Sequence, residues 1–139
     1  NQSKKILDTN KKFIHIHPGF LPEIKGADGS LWHIKKQSNI GVSSFFMNKK
    51  IDEGSIIERE KLLLPNFFLK NYKNMNLKTI YRLWFSFFDP LLRGWHLKNL
   101  IKKNKIAVMN NQNNEGSSQY FSYMSQSQLK ETFDKVFKK

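Results

Sequence analysis

Cysteine is missing altogether from these 139 residues, which excludes a disulfide framework and any thiolate metal site. Long apolar runs are missing too. Stretches such as Leu83-Trp84-Phe85 are broken far short of the ~20 residues that a membrane-crossing helix needs. No signal-peptide pattern is read at the start, so a cytoplasmic protein is the expectation. Acidic residues are few, 11 against 24 Lys and Arg, which leaves a net charge of +13. That balance attracts phosphate-bearing partners, whether nucleotide sugars, RNA or anionic membranes, and does not choose among them. A biased genome would produce the same abundance of Lys, Asn, Ile and Phe. The length allows a single small core.

Against this background the stretch Phe13-Ile14-His15-Ile16-His17-Pro18-Gly19-Phe20-Leu21-Pro22 stands out. It begins as a strand, in which residues two apart share a face, so His15 and His17 project side by side. Nearly continuous apolar character suggests burial on both faces, as in a parallel sheet. Pro18 removes a donor and Gly19 frees the next dihedrals, so the strand ends there. His17 thus comes to the rim of a sheet, where open α/β folds place ligands. Thirty-five residues on, Ile51-Asp52-Glu53-Gly54 puts a carboxylate in a turn between apolar runs.

Residues 1–12 are polar and read as a loosely anchored end. A loop at 18–26 is held by Pro18, Gly19, Pro22 and Gly26. A short helix is expected from Ala27 to Gln37, with Leu31 and Ile34 inward and Trp32 over the site or the core. Ile40–Met47 and Ser55–Leu64 read as strands, joined through the turn Asn48-Lys49-Lys50. From Leu77 to Phe88 a helical period places Leu77, Ile80, Tyr81, Trp84, Phe85 and Phe88 on one face. Asp89-Pro90 reads as a cap and restart. The helix that follows runs to about Asn104 and buries Leu91, Leu92, Trp95, Leu100 and Ile101. Ile106–Met109 reads as a strand, 110–118 as a polar loop and Gln119–Met124 as a strand partner. Ser127 is expected to cap a final helix presenting Leu129, Phe133, Val136 and Phe137. No internal repeat is evident. The Trp84–Trp95 region reads first as the buried side of two helices, and second as a membrane-surface or nucleic-acid face.

The order His15-Ile16-His17-Pro18-Gly19 with Leu21-Pro22, then Lys25-Gly26-Ala27-Asp28, Ile40-Gly41-Val42 and Ile51-Asp52-Glu53-Gly54-Ser55-Ile56-Ile57 resembles the formyltransferases that use 10-formyltetrahydrofolate. The resemblance covers about residues 13 to 57. The family has Asn where His15 stands, and Ser or Gly at the place of Gly19. The resemblance implies an α/β fold: the C-terminal half of a Rossmann-like formyltransferase domain with a mixed sheet in 1–65. A mainly helical extension with short strands would fill 66–139. It implies transfer of a formyl group from 10-formyltetrahydrofolate to a primary amine, that of a nucleotide-linked amino sugar for surface polysaccharide.

His17, Asp52 and His15 are the implied catalytic residues. An imidazole can hydrogen-bond the oxygen of a carbonyl under attack and move protons. A carboxylate beside it raises its pKa and fixes its orientation. The bland readings are a turn-capping histidine and a solvated turn aspartate. Asn48, Lys49, Lys50 and Ile51 are implied to line the folate's pterin pocket through backbone groups. His15, His17 and Asp52 could instead bind a metal, while His33 and His96 look structural or exposed. The resemblance further implies that the first half of the domain is absent ahead of Phe13, so these residues alone are not expected to catalyse. No stable nucleic-acid partner is expected, and a homodimer is allowed. The rival readings are a methionyl-tRNA formyltransferase, which would carry a longer β-barrel domain after the core, and a non-catalytic basic module binding RNA or membrane.

Overall fold

The computed structural model of the chain describes residues 11–50, 52–106 and 116–137. The expected loose end therefore falls almost wholly outside the described residues. So do the strand expected beyond Ile106, most of the 110–118 loop, and Ile51.

Strand β1 (Ile14–His17) pairs with β3 (Asn39–Phe46), and β3 pairs with β4 (Ile56–Leu63). Both pairings are antiparallel, in the order β1-β3-β4. The parallel, doubly buried setting expected for β1 is thus corrected. β1 has one neighbour among the described strands, and Ile14, His15 and Ile16 are half-buried while His17 is buried. β3 takes the central place and is buried from Ile40 to Phe45, as its β-branched and small residues permit. The stretch read as an unbroken loop contains β2 (Ile24–Gly26), which pairs in parallel with β5 (Gln119–Phe121). Three residues are too few for a periodic signal, and the partner lies 95 residues away in register. The fold class is α/β, with both parallel and antiparallel pairing.

Helix α1 (Gly29–Gln37) forms as expected and buries Leu31, Trp32 and Ile34. Helix α2 (Leu77–Leu83), a π-helical stretch Trp84–Phe88 and helix α3 (Asp89–Lys102) run on without a break, which corrects the expected restart. Asp89 is itself helical (φ −61°, ψ −46°), and its N–H bonds to the Trp84 carbonyl five residues back. The wider π turn makes room for the ring of Pro90, whose clash with a carbonyl one turn earlier would otherwise break the helix. Along α3 the buried stripe is Leu92, His96 and Leu100, spaced by four. Leu91 (70%) and Ile101 (61%), expected inside, lie exposed beside it. Trp95, also expected inside, is exposed as well. Helix α4 (Gln126–Val136) is capped by Ser125, not Ser127: the Ser125 hydroxyl accepts from Gln128 N, and the Gln128 side chain returns a bond to Ser125 N.

The main core joins Ile24, Leu31, Ile34, Ile40 and Val42 to Ile80, Trp84, Leu92, Phe133 and Val136. Residues from before and after position 65 therefore share one apolar interior, and β1, α1 and α3 are fixed against each other around it. Among the described residues no helix is long and apolar enough to cross a membrane.

Candidate active site

The end of β1 delivers His17 into a tight slot. A methyl group on Gly19 would stand 2.7 Å from His17 Nε2, and one on Gly29 would stand 3.2 Å from the ring and 2.8 Å from the Pro18 carbonyl oxygen. Only hydrogen atoms fit between the turn, the first turn of α1 and the imidazole. Ser43 of β3 locks that turn, donating to the Gly19 carbonyl at 2.8 Å and accepting from Leu21 N at 2.9 Å.

His17 Nε2 lies 2.8 Å from the carbonyl oxygen of Ile24, so it carries the hydrogen and donates it. Nδ1 is left facing Asp52, whose Oδ2 is 3.7 Å away. The Asp52 carboxylate is itself held, since Oδ2 accepts from Gly26 N at 2.9 Å. Asp52 occupies a left-handed backbone position (φ 54°), which Asp tolerates better than most residues. His15 stands next to His17, ring centroids 6.4 Å apart, with its edge against Phe45 at 5.4 Å. The sequence reading thus places His15, His17 and Asp52 together, and the structure does so. Burial holds the His17 imidazole below its ordinary value of 6.5 despite the opposing pull of Asp52. His15 is lowered as well, by burial first and then by the Arg93 guanidinium. Both rings are neutral near pH 7.

These three residues line a cavity of about 700 Å³, within the range of small-molecule sites. Asn48, Lys49 and Lys50, which the resemblance implies for a folate pocket, also line this cavity. The loop is partly self-bonded: Asn48 Oδ1 accepts from Lys50 N at 2.9 Å, and Asn48 Nδ2 donates to the Glu53 carbonyl at 3.2 Å. Two of the loop's groups are therefore engaged within the loop itself.

Six further residues that line the cavity were not read from sequence as part of a site. They are Asp28, Tyr81, Phe85, Arg93, Tyr120 and Tyr123. Asp28 begins α1 in a left-handed conformation (φ 52°) and makes no cap bond there. Its carboxylate ties distant segments instead, accepting from the Tyr81 hydroxyl at 2.8 Å and from Met124 N at 2.9 Å. Burial and that carboxylate push the Tyr81 phenol above its ordinary 10.0, so it stays a donor. Arg93 donates to the Ile16 carbonyl and to Asp89 Oδ2, each at 2.6 Å, which clamps α3 to β1 beside His15 and His17. One signal was available: Asp89 and Arg93 are four apart in a helix, the spacing of an ion pair. Tyr81 carried none, because it sits on the inward face of a helix like a core residue.

Neither a family model nor a curated protein sequence matches the chain. Solved structures do. Rv3404c from Mycobacterium tuberculosis, described as a candidate sugar N-formyltransferase, is 15% identical with a TM-score of 0.50 over 79% of this chain and 42% of its own. A sugar N-formyltransferase from a Shewanella species is 21% identical with a TM-score of 0.49 over 81% and 41%. The formyltransferase PseJ from Anoxybacillus kamchatkensis, solved with a UDP-linked formamido sugar and tetrahydrofolate, is 25% identical with a TM-score of 0.43 over 78% and 51%. The chain spans about half or less of each of these proteins. In its fold the chain resembles the structure of that candidate sugar N-formyltransferase from Mycobacterium tuberculosis, of which it spans less than half.

Proposed function

We propose that the chain carries the catalytic part of a formyltransferase, moving a formyl group from 10-formyltetrahydrofolate to the amine of a nucleotide-linked amino sugar. One observation carries the reading. His17 and Asp52, thirty-five residues apart in sequence, meet at 3.7 Å on the wall of a ligand-sized cavity with His15 beside them.

The folate supplies a formyl carbon already bound to nitrogen. Flat apolar surface at Phe45 and Met47, beside the cations of Lys49 and Lys50, fits a ring system with an anionic tail. With Nε2–H committed to Ile24, His17 has its Nδ1 lone pair to accept a proton from the attacking amine and to return it to the folate nitrogen as the bond between that nitrogen and the formyl carbon breaks. The Asp52 carboxylate faces that same nitrogen and stabilises the imidazolium that forms. His15 donates a ring N–H to the oxygen of the carbonyl under attack, the task an amide performs elsewhere in the family. Tyr120 and Tyr123 give the amino-sugar side of the cavity aromatic surfaces on which a base or sugar ring can stack.

The reading is tested by mixing the protein, as its own cell makes it, with 10-formyltetrahydrofolate and a panel of amines, and following N-formyl products by mass. Formylation of nucleotide-linked amino sugars, with methionyl-tRNA untouched, is the expected outcome. Transfer to methionyl-tRNA alone, or to no amine at all, contradicts it.

A further inference from the structure

Large apolar side chains left exposed gather on one helical run. Leu83, Phe87, Leu91 and Trp95 follow one another at intervals of four, and Ile101 lies further along. Phe87, at 69% exposure, is as open as Leu91. We propose that the outer face of the π turn and α3 docks on an anionic lipid surface. Its apolar side chains would enter the acyl boundary while its lysines meet the headgroups.

Residues three, four and seven apart share a helix face. Starting from Leu91, that face takes in Gly94, Trp95, Lys98 and Lys102, all of them exposed. Leu92, His96 and Leu100 fill the core on the other side. A methyl group on Gly94 would meet nothing within 4 Å, so the middle of the face is open. From the same run, Phe85 and Arg93 line the cavity. The outer face and the cavity can therefore be occupied together.

Charge selects the occupant. Between Glu60 and Glu115 the sequence has one acidic residue, Asp89, and it is buried and bonded to Arg93. The helical run thus presents lysines and no carboxylate to its surroundings. A second copy of the chain would bring the same cations to the contact and no anions. The area is also too small for a copy. From Phe87 to Ile101 the helical rise adds up to about 20 Å, and a helix is about 10 Å wide, roughly 200 Å² in all. Each partner of a stable protein interface gives up about 800 Å². A nucleic acid would seek aromatic faces for its bases, which the aliphatic Leu91 and Ile101 do not offer. Trp, Phe and Leu together with Lys are the composition of helices that lie in a membrane interface. No described helix is long and apolar enough to cross a bilayer, so this run would rest along its surface. The face is defined by its own side chains and stands whether or not the formyl-transfer reading does.

The test needs no enzymatic assay. The protein, as its own cell makes it, is sedimented with phosphatidylcholine vesicles that contain or lack phosphatidylglycerol. Saturable binding to the anionic vesicles is expected, far weaker without phosphatidylglycerol and reduced by salt. Lys98→Glu combined with Lys102→Glu should weaken it at least about twentyfold, since each cation at such a surface contributes about fivefold. The same reversal at Lys70 and Lys73, exposed residues outside the run, should weaken it less. Brominated acyl chains should quench Trp95, because Trp32 and Trp84 are buried. That reading on the unaltered protein stands even if a charge variant does not fold. Absence of saturable binding, equal losses in the two double variants, no quenching by brominated chains, or displacement of the vesicles by a homopolymeric RNA would overturn the proposal.

Discussion

At Gly26 the backbone runs at φ +94°, and a methyl group there would stand 2.2 Å from the carbonyl oxygen of Phe121. The same residue gives its N–H to Asp52, so the β2–β5 contact and the orientation of the carboxylate depend on one another. Gly26→Ala combines a strained conformation with a backbone clash, and should cost more than about 2 kcal/mol of folding stability. Urea unfolding checks this, and a loss below half that amount would contradict the tight approach. Residues of this kind divide cleanly by legibility. His17 and Asp52 could be read together because the spaced pattern around Pro18, Gly19 and Gly54 resembles a family motif; either residue alone reads as a turn residue. Asp28 could not, because its partners Tyr81 and Met124 lie 53 and 96 residues away and are reached only through packing.

Elements were legible where their period was long and obscure where a local rule had two candidates. The strand β3 and the inward residues of α4 follow directly from β-branched runs and helical spacing. At the start of α4 both Ser125 and Ser127 are plausible caps, but only Ser125 has a Gln three residues on, and that reciprocal pair decides the matter. Ser125→Ala should therefore destabilise the chain by about 1 kcal/mol, and Ser127→Ala by a few tenths at most. Thermal melts of the two variants compare them directly, and equal losses would contradict the assigned cap. Asp89-Pro90 misled for a different reason. A buried Asp89 that binds Arg93 and Ser30 serves tertiary structure, and the π turn ahead of it absorbs the proline.

For the molecule as a whole, burial sets the response to acid. It holds His33 and His96, almost without exposure, below their ordinary 6.5. The unfolded chain then binds more protons than the native one as soon as the pH falls under 6.5. Stability is complete above that value and is lost as the pH drops toward the lowered native values. Urea midpoints taken in chelator at about pH 7.5 and about pH 5.5 should fall in that order, and equal midpoints would contradict it. The main core joining both halves of the described sequence was not legible, since the contacts of α2, α3 and α4 with the sheet arise only from their packing. The arrangement of that core is what brings α3 and its Arg93 to β1 and closes one wall of the cavity. The most direct measurement of what the cavity does is the rate of formyl transfer to a nucleotide-linked amino sugar by the unaltered protein and by Asp52→Asn, each confirmed folded by circular dichroism. With Asp52 facing Nδ1 of His17, the nitrogen that accepts the proton from the amine, the variant should be slower by at least about a hundredfold. A variant that turns over at nearly the parental rate would contradict the role given to this pair.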